Sequence, residues 1–356
     1  MSRPACAIID TAAFVANYRH AKTLAPHARA LAVVKANAYG HGAVELALAL
    51  DSEADGFGVA CTEEAVELRE AGVTRPIVLL EGVFEPDELM LASQLQLAVG
   101  IHSHTQLNWL EHAQLPHPLR VWLKLDTGMH RLGFAAPEIA AVRQRLLAST
   151  NVAGLVLMSH FARADEPECR YTAHQLTLFR ETVAAHGDPL SLANSAAVMA
   201  WPDSHCDWVR PGIMLYGSSP LAGDEGVSLR PVMRLQSRLI AIRELAAGEA
   251  IGYGGRYVCA RPTRVGTVAI GYADGYPRHA PDGTPVVVDG QRTRLIGRVS
   301  MDMLTVDLSD LPNAGIGAPV ELWGENLHAN EIAAHCGTIA YELFTRITRR
   351  VQRRYA

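Results

Sequence analysis

GFGVACTEEAVELREAGVTRPIVLLE, residues 56–81, contains one complete structural unit. Gly56 to Ala60 is a short apolar run, Thr62 with Glu64 and Glu67 fits the start of a helix, Gly72 fits its end, and Pro76 to Glu81 is a second apolar run. Acidic residues in a first turn and a glycine just past the last one are helix boundary signals. Apolar runs with weak alternation are strands covered on both faces, as in parallel sheets. The stretch therefore predicts strand, helix and parallel strand.

Runs of the same kind recur along the chain. They are LAVVK ending at Lys35, GFGVA at Ala60, PIVLLE at Glu81, LAVGIH at His102, VWLKLD at Asp126, LVLMSH at His160, LSLAN at Asn194 and WVRPGIMLY at Tyr216. Eight βα units predict an α/β fold with an N-terminal TIM (β/α)8 barrel. An open doubly wound sheet has the same local pattern, because periodicity does not report closure. A short strand, Ala7 to Asp10, precedes the first unit, and Asp10 is placed to cap the helix that follows.

Past about Arg230 the texture changes. Ser237–Glu244, Thr263–Ala273, Pro285–Asp289, Arg294–Leu308 and Pro319–Trp323 read as strands broken by Gly, Pro and Asp turns. The expected division is a barrel over 8–230 and a mainly β domain over 231–356, with the opening strand, about 1–10, joining the second. The basic tail RITRRVQRRYA reads as a solvated terminal face rather than a nucleic-acid arm.

Composition narrows the function. The 356 residues are 49% apolar and 19% charged, which excludes a disordered chain. A net charge of -5 offers no basic field for a nucleic-acid backbone. No segment is apolar enough to cross a bilayer, the N-terminus does not read as a secretion signal, and the six cysteines lack CxxC spacing. A soluble cytoplasmic protein with reduced thiols is expected, without nucleic acid or membrane as partner.

In a TIM barrel the active site forms where the C-terminal strand ends meet, so polar residues there come first. Lys35 closes the first run; a desolvated lysine is a Schiff-base nucleophile, although a lone rim lysine also snorkels. Lys124, Asp126 and Arg131 cluster after the fifth run, where arginine can grip a carboxylate in bidentate fashion or form a structural ion pair. Arg210-Pro211-Gly212-Ile213 sets a permanent cation beside backbone N–H groups suited to a phosphate. Tyr253 and Tyr272 lie in glycine-rich loops of the β domain. A rival set, His102, His104, Lys124 and His160, is reminiscent of two-metal barrel hydrolases, but it leaves the Lys35 segment without a role. The glycines around Tyr253 do not match a dinucleotide fingerprint, and no metal is expected.

AVVKANAYGHG, KLDTGMHRLG, MSHFARAD, NSAAV, VRPGIMLYG, IGYGGRY, GYADGYPR and GRVSMDMLTVD resemble, in order and along nearly the whole chain, the alanine racemases, above all their catabolic bacterial branch. The resemblance implies pyridoxal 5′-phosphate as cofactor, alanine as substrate, and a head-to-tail homodimer with shared sites. By position, Lys35 would hold the cofactor and act as base for the D enantiomer, and Tyr253 of the partner subunit would serve the L enantiomer. Arg131, with the backbone N–H of Met301 of the partner subunit, would bind the substrate carboxylate, and Lys124 would be carbamylated to orient Arg131. Arg210 would face the pyridine nitrogen. Tyr39, Ser195, the backbone at Gly212 and Ile213, and Tyr341 would hold the phosphate, with Asn194 supporting Ser195. Tyrosine at its ordinary pKa of about 10 is a poor base, so the cationic surroundings of Arg210 and His160 are expected to assist Tyr253.

A decarboxylase of the same architecture carries an acidic residue where this chain has Arg210. A barrel-only cofactor carrier would lack the β domain with Tyr253 and Met301. A racemase of broader specificity shares all of these features.

Overall fold

The computed structural model describes residues 3–221 and 229–356. β1 (Cys6–Ile9) is followed by the helix Thr11–Leu24, which Asp10 caps by accepting from Ala13 N at 2.7 Å. Eight strands then close a barrel: β2 (Arg29–Val33), β3 (Gly56–Val59), β4 (Ile77–Leu79), β5 (Ala98–Ile101), β6 (Leu119–Lys124), β7 (Val152–Met158), β8 (Leu190–Asn194) and β9 (Trp208–Arg210). Each neighbouring pair is parallel, and β9 returns to β2 through Arg29 opposite Trp208 and Ala30 opposite Val209. The open-sheet alternative is thereby set aside. The expected eighth run is shorter than its apolar length: Pro211 offers no N–H to a ladder, and Ile213–Tyr216 forms a 3₁₀ turn instead.

Alternating side chains separate two cores. Leu31, Val78, Ala98, Trp122, Val156, Met158 and Trp208 pack together in one cluster, while the alternate residues Ala30 and Ala32 of β2 belong to the larger core. The Trp122 and Trp208 rings meet edge to face at 5.6 Å, and Arg29 lies over Trp208. A plugged interior leaves ligand space only at the mouth.

The second sheet is built around the long strand β10 (Met233–Leu245), after which come β11 (Ala250–Ile251), β12 (Tyr257–Val258), β13 (Thr263–Val268), β14 (Pro285–Val288), β15 (Gln291–Arg294), β16 (Leu304–Asp307), β17 (Pro319–Trp323) and β18 (Gln352–Tyr355). β10 pairs antiparallel with β1, β13 and β17, so the opening strand lies in this sheet. The expected strand Arg294–Leu308 is divided into β15 and β16 by a loop that carries Met301, and the stretch expected to run on to Ala273 leaves the sheet at Val268.

The tail is more ordered than the sequence indicates. Gln352–Tyr355 is the edge strand β18, parallel to β1, and all of it but Arg353 is exposed, in keeping with the expected solvated face. Its charges suit an edge, which arginine protects from further pairing. Arg353 turns inward and donates through Nε to the Gly40 carbonyl at 2.6 Å. Arg353→Ala strands that carbonyl and is expected to destabilise the protein by about 1–3 kcal/mol, read as a lower thermal midpoint. An unchanged midpoint would show that water replaces the guanidinium. Among the described residues no helix is long and apolar enough to cross a membrane.

Candidate active site

Beyond β2 the backbone does something that periodicity could not indicate. Ala36, Asn37, Ala38 and Tyr39 take φ of 50 to 54° and ψ of 43 to 51°, one turn of left-handed helix directly after Lys35. For residues with a Cβ this costs about 1–2 kcal/mol each, so the surroundings must hold it. Several contacts do so. Ala38 N donates to Val34 O at 2.8 Å, and the Asn37 side chain accepts from Ala43 N at 2.8 Å. His41 Nδ1 lies 3.0 Å from both the Ala38 and Tyr39 carbonyls, and Glu64 accepts from Ala36 N at 2.6 Å. Gly40 follows at φ 80°, where a Cβ would stand 2.2 Å from the Phe344 carbonyl oxygen.

This turn delivers Lys35 and Tyr39 to a cavity of about 610 Å³ at the barrel mouth. Lys124, Arg131, His160, Asn194, Ser195, Arg210, Gly212, Ile213 and Tyr341 line the same cavity, and so does Glu81, to which the sequence reading assigned no role. Its signal was present, since Glu81 is itself a polar residue at a strand end. Tyr253 and Met301 do not line the cavity; both are exposed, at 69% and 52%. The rival His104 points elsewhere, pairing with Glu138 at 2.8 Å on the surface.

One wall is a small anion cradle. Ser195 Oγ accepts from Gly212 N at 2.7 Å and Met214 N at 3.3 Å. A Cβ on Gly212 would come within 2.7 Å of the Tyr39 hydroxyl, so only glycine admits that hydroxyl. Burial pushes the Tyr39 phenol up to about 12 and raises that of Tyr341, leaving both protonated donors. Asn194 does not touch Ser195 through its side chain; it caps the next helix by accepting from Ala197 N at 3.0 Å. Hydroxyls and backbone N–H groups converging at a turn suit a phosphate.

Opposite stands Arg210, buried and without a carboxylate partner among the described residues. It donates to Ser191 Oγ and to the Ser159 carbonyl at 2.6 Å, and to the Leu192 carbonyl at 3.2 Å. Burial lowers its pKa to about 10, which still leaves it charged at neutral pH. His160 Nδ1 is 3.4 Å away, and burial together with Arg210, Lys124 and Arg131 holds its ring far below the usual histidine range. His160 is thus neutral, so the charge in the surroundings of that pair comes from Arg210.

Lys124 is brought down to about 8 by burial, Arg210 and Arg131. A depressed lysine is destabilising while protonated; that cost is present in full below about 8 and fades as pH rises toward the ordinary lysine value. Asp126, grouped with Lys124 and Arg131 by sequence, accepts from Gly128 N at 2.9 Å and His130 N at 3.0 Å. These bonds shape the loop that presents Arg131, and Asp126 does not line the cavity.

Tyr253 stands on a 3₁₀ turn between Gly252 and Gly254, both at positive φ. The loop with Met301 is held from the Tyr272 side, where Tyr272 N donates to Ser300 O and Ala273 N to Met301 O, each at 3.0 Å.

Comparison with known proteins gives one answer along the chain. The pattern of the alanine racemase N-terminal domain matches residues 9–220, and that of the C-terminal domain matches residues 232–355. An alanine racemase of Pseudomonas taetrolens is 57% identical, with 99% of each chain covered. A Pseudomonas putida relative named as a catabolic alanine racemase is 55% identical, again over 99% of both chains. The crystal structure of a biosynthetic alanine racemase from Pseudomonas aeruginosa superposes with a TM-score of 0.97 at 53% identity over 99% of both chains. A Bartonella henselae alanine racemase with covalently bound pyridoxal phosphate superposes at 0.90 with 30% identity, covering 99% of both. With a closed barrel, a β domain and matches spanning both, the chain belongs to the alanine racemase family.

Proposed function

We propose that this chain interconverts L- and D-alanine with pyridoxal 5′-phosphate held at Lys35, and that two chains pair so that each site uses residues of both. The observation that carries the reading is the cavity itself: the Lys35 amine, the Arg131 guanidinium and a cluster of hydroxyls and backbone N–H groups line it, while Tyr253 and Met301 are exposed and do not.

The residues fit the cofactor. Lys35 would hold it covalently; Tyr39, Ser195, Tyr341 and the backbone at Gly212 and Ile213 would hold its phosphate, with Asn194 anchoring the adjacent helix. Arg210 and His160 would meet its ring. The cofactor, when bound, supplies an electron sink that acidifies the substrate α-carbon. Arg210 limits that sink, because guanidinium keeps its own protons at neutral pH.

The protein supplies binding and proton transfer. Arg131 grips the carboxylate, joined by the backbone N–H of Met301 of the partner subunit. From L-alanine, Tyr253 of the partner subunit removes the α proton and Lys35 returns one to the opposite face; from D-alanine the roles exchange. Lys124 as a carbamate would trade a costly buried cation for an anion that steadies Arg131. Lys124→Ala is expected to lower kcat/KM by about 10–100-fold, with partial recovery in added acetate. Indifference to acetate would count against a carbamate.

In this reading the barrel, 8–230, holds the cofactor. The β domain, 231–356 with the opening strand, contributes Tyr253 and Met301 to the partner subunit's site. Six unpaired thiols suit a reducing cytoplasm. The direct test is a proton NMR time course of L-alanine in D2O with purified protein and cofactor, followed by chiral analysis. Loss of the α-proton signal with D-alanine appearing supports racemisation. An unchanged signal with cofactor bound would overturn it in favour of another amino acid or a carrier role.

A further inference from the structure

Cations crowd the cavity. Lys35, Lys124, Arg131 and Arg210 line it, and Glu81 is the one carboxylate among the described residues that do. The proposed reaction employs each cation and leaves Glu81 without a task. Its Oε1 lies 3.6 Å from Lys35 Nζ, with both side chains 35% exposed and so open to the cavity.

The position of Glu81 is built rather than incidental. β4 ends at Leu79, and Gly82 turns the chain at φ +72°, where a Cβ would stand 2.1 Å from the Gly100 carbonyl oxygen. Gln106 Nε2, from the helix His104–His112, donates to the carbonyls of Glu81 and Val83 at 3.0 Å each. With its backbone clamped between β5 and that helix, the carboxylate has only side-chain torsions with which to move. Lys35 is equally constrained by the left-handed turn behind it.

We infer that Glu81 is a positioning residue for Lys35: its carboxylate holds Nζ on the D face and stabilises the ammonium that forms when Lys35 has taken the α proton. The proton stays on Nζ; Glu81 acts through charge and contact. This rests on the reading of Lys35 as the D-face base.

The other groups facing this corner act in the opposite sense or not at all. Lys124 at the end of β6, Arg131 in the following loop and Arg210 at the end of β9 are cations that oppose a further positive charge. His160 after β7 is neutral, and His102 after β5 is lowered by burial and by Lys124. Tyr39 and Tyr341 stay protonated. Glu81 is the one carboxylate, among the described residues lining the cavity, that faces the Lys35 amine.

Glu81→Gln keeps the shape and removes the charge, and Glu81→Asp restores the charge one methylene back. The first readout is capture of pyridoxal phosphate by stripped protein, in which the free Lys35 amine condenses with the aldehyde and one water leaves. Capture on the acid side is expected to be about two- to fivefold faster in Glu81→Gln than in wild type, with Glu81→Asp in between. The second readout is α-proton washout at saturating alanine: the D-alanine profile moves by a similar amount and the L-alanine profile does not.

Coincident capture and D-alanine profiles in wild type and Glu81→Gln, with Lys35→Ala inactive toward D-alanine, would overturn the role of Glu81 and leave Lys35 as base. Washout from D-alanine at the wild-type rate in Lys35→Ala supplied with cofactor would overturn the base assignment and this inference with it. If Glu81→Gln does not fold, Glu81→Asp makes the same comparison with a smaller shift.

Discussion

Lys35→Ala loses covalent cofactor attachment and with it racemisation, by about 10⁴-fold or more in kcat/KM. A general base alone contributes about 10²–10⁴-fold, and this residue also fixes the cofactor against the cavity wall. The expectation is specific to the place of Lys35 in the fold. It stands at the junction of β2 and a left-handed turn, among the other strand ends that line the cavity. The variant should lack the visible absorption of the attached cofactor, and borohydride should leave no label on the protein. The fold should survive, since the side chain is partly open to the cavity and its one ionic contact among the described residues is with Glu81. Retained absorption that borohydride still fixes covalently would reject Lys35 as the attachment point.

Tyr253→Phe is the second large effect, and its asymmetry matters more than its size. With the phenol gone, α-proton removal from L-alanine should fall by about 10²–10⁴-fold. Removal from D-alanine should persist, so that deuterium enters without inversion. Equal losses in the two half-reactions would sink the assignment of faces. Because Tyr253 is exposed and absent from its own chain's cavity, mixed protomers give a further check. In a heterodimer of Lys35→Ala and Tyr253→Phe chains, one site pairs both lesions and the other is intact. Recovery of about one working site per heterodimer is expected; none, despite proven subunit exchange, would count against shared sites.

Much of the barrel was legible because its signal is local. Apolar runs bounded by helix signals repeat along the chain, and strand ends marked Lys35, Lys124, His160, Asn194 and Arg210 as residues to watch. Less visible were elements whose partners are distant in sequence. The tail of arginines gives no sign that it pairs with β1, and Arg353 has no evident partner until Gly40 is known to lie beside it. Glu64 reads as a first-turn helix acid, but its carboxylate reaches back to Ala36 N and Ala60 N. Glu81 is a strand end as well, but one more carboxylate means nothing until the surrounding cations are assembled around it.

By itself the sequence determined the succession of βα units, the change to β texture, the family resemblance and the residue types at the strand ends, since periodicity and motif order are properties of neighbours along the chain; closure of the barrel came from the pairing of β9 with β2. Only the tertiary structure decided which charges survive at the site. His160 is neutral because burial and the cations Arg210, Lys124, Arg131 and Lys35 outweigh its ordinary basicity, and Lys124 is lowered to about 8 by burial, Arg210 and Arg131. It also decided that the residues after Lys35 adopt left-handed geometry, which contacts from Val34, His41, Ala43 and Glu64 sustain. Desolvation and long-range packing depend on what surrounds a residue in space, and that is where linear pattern carries no information.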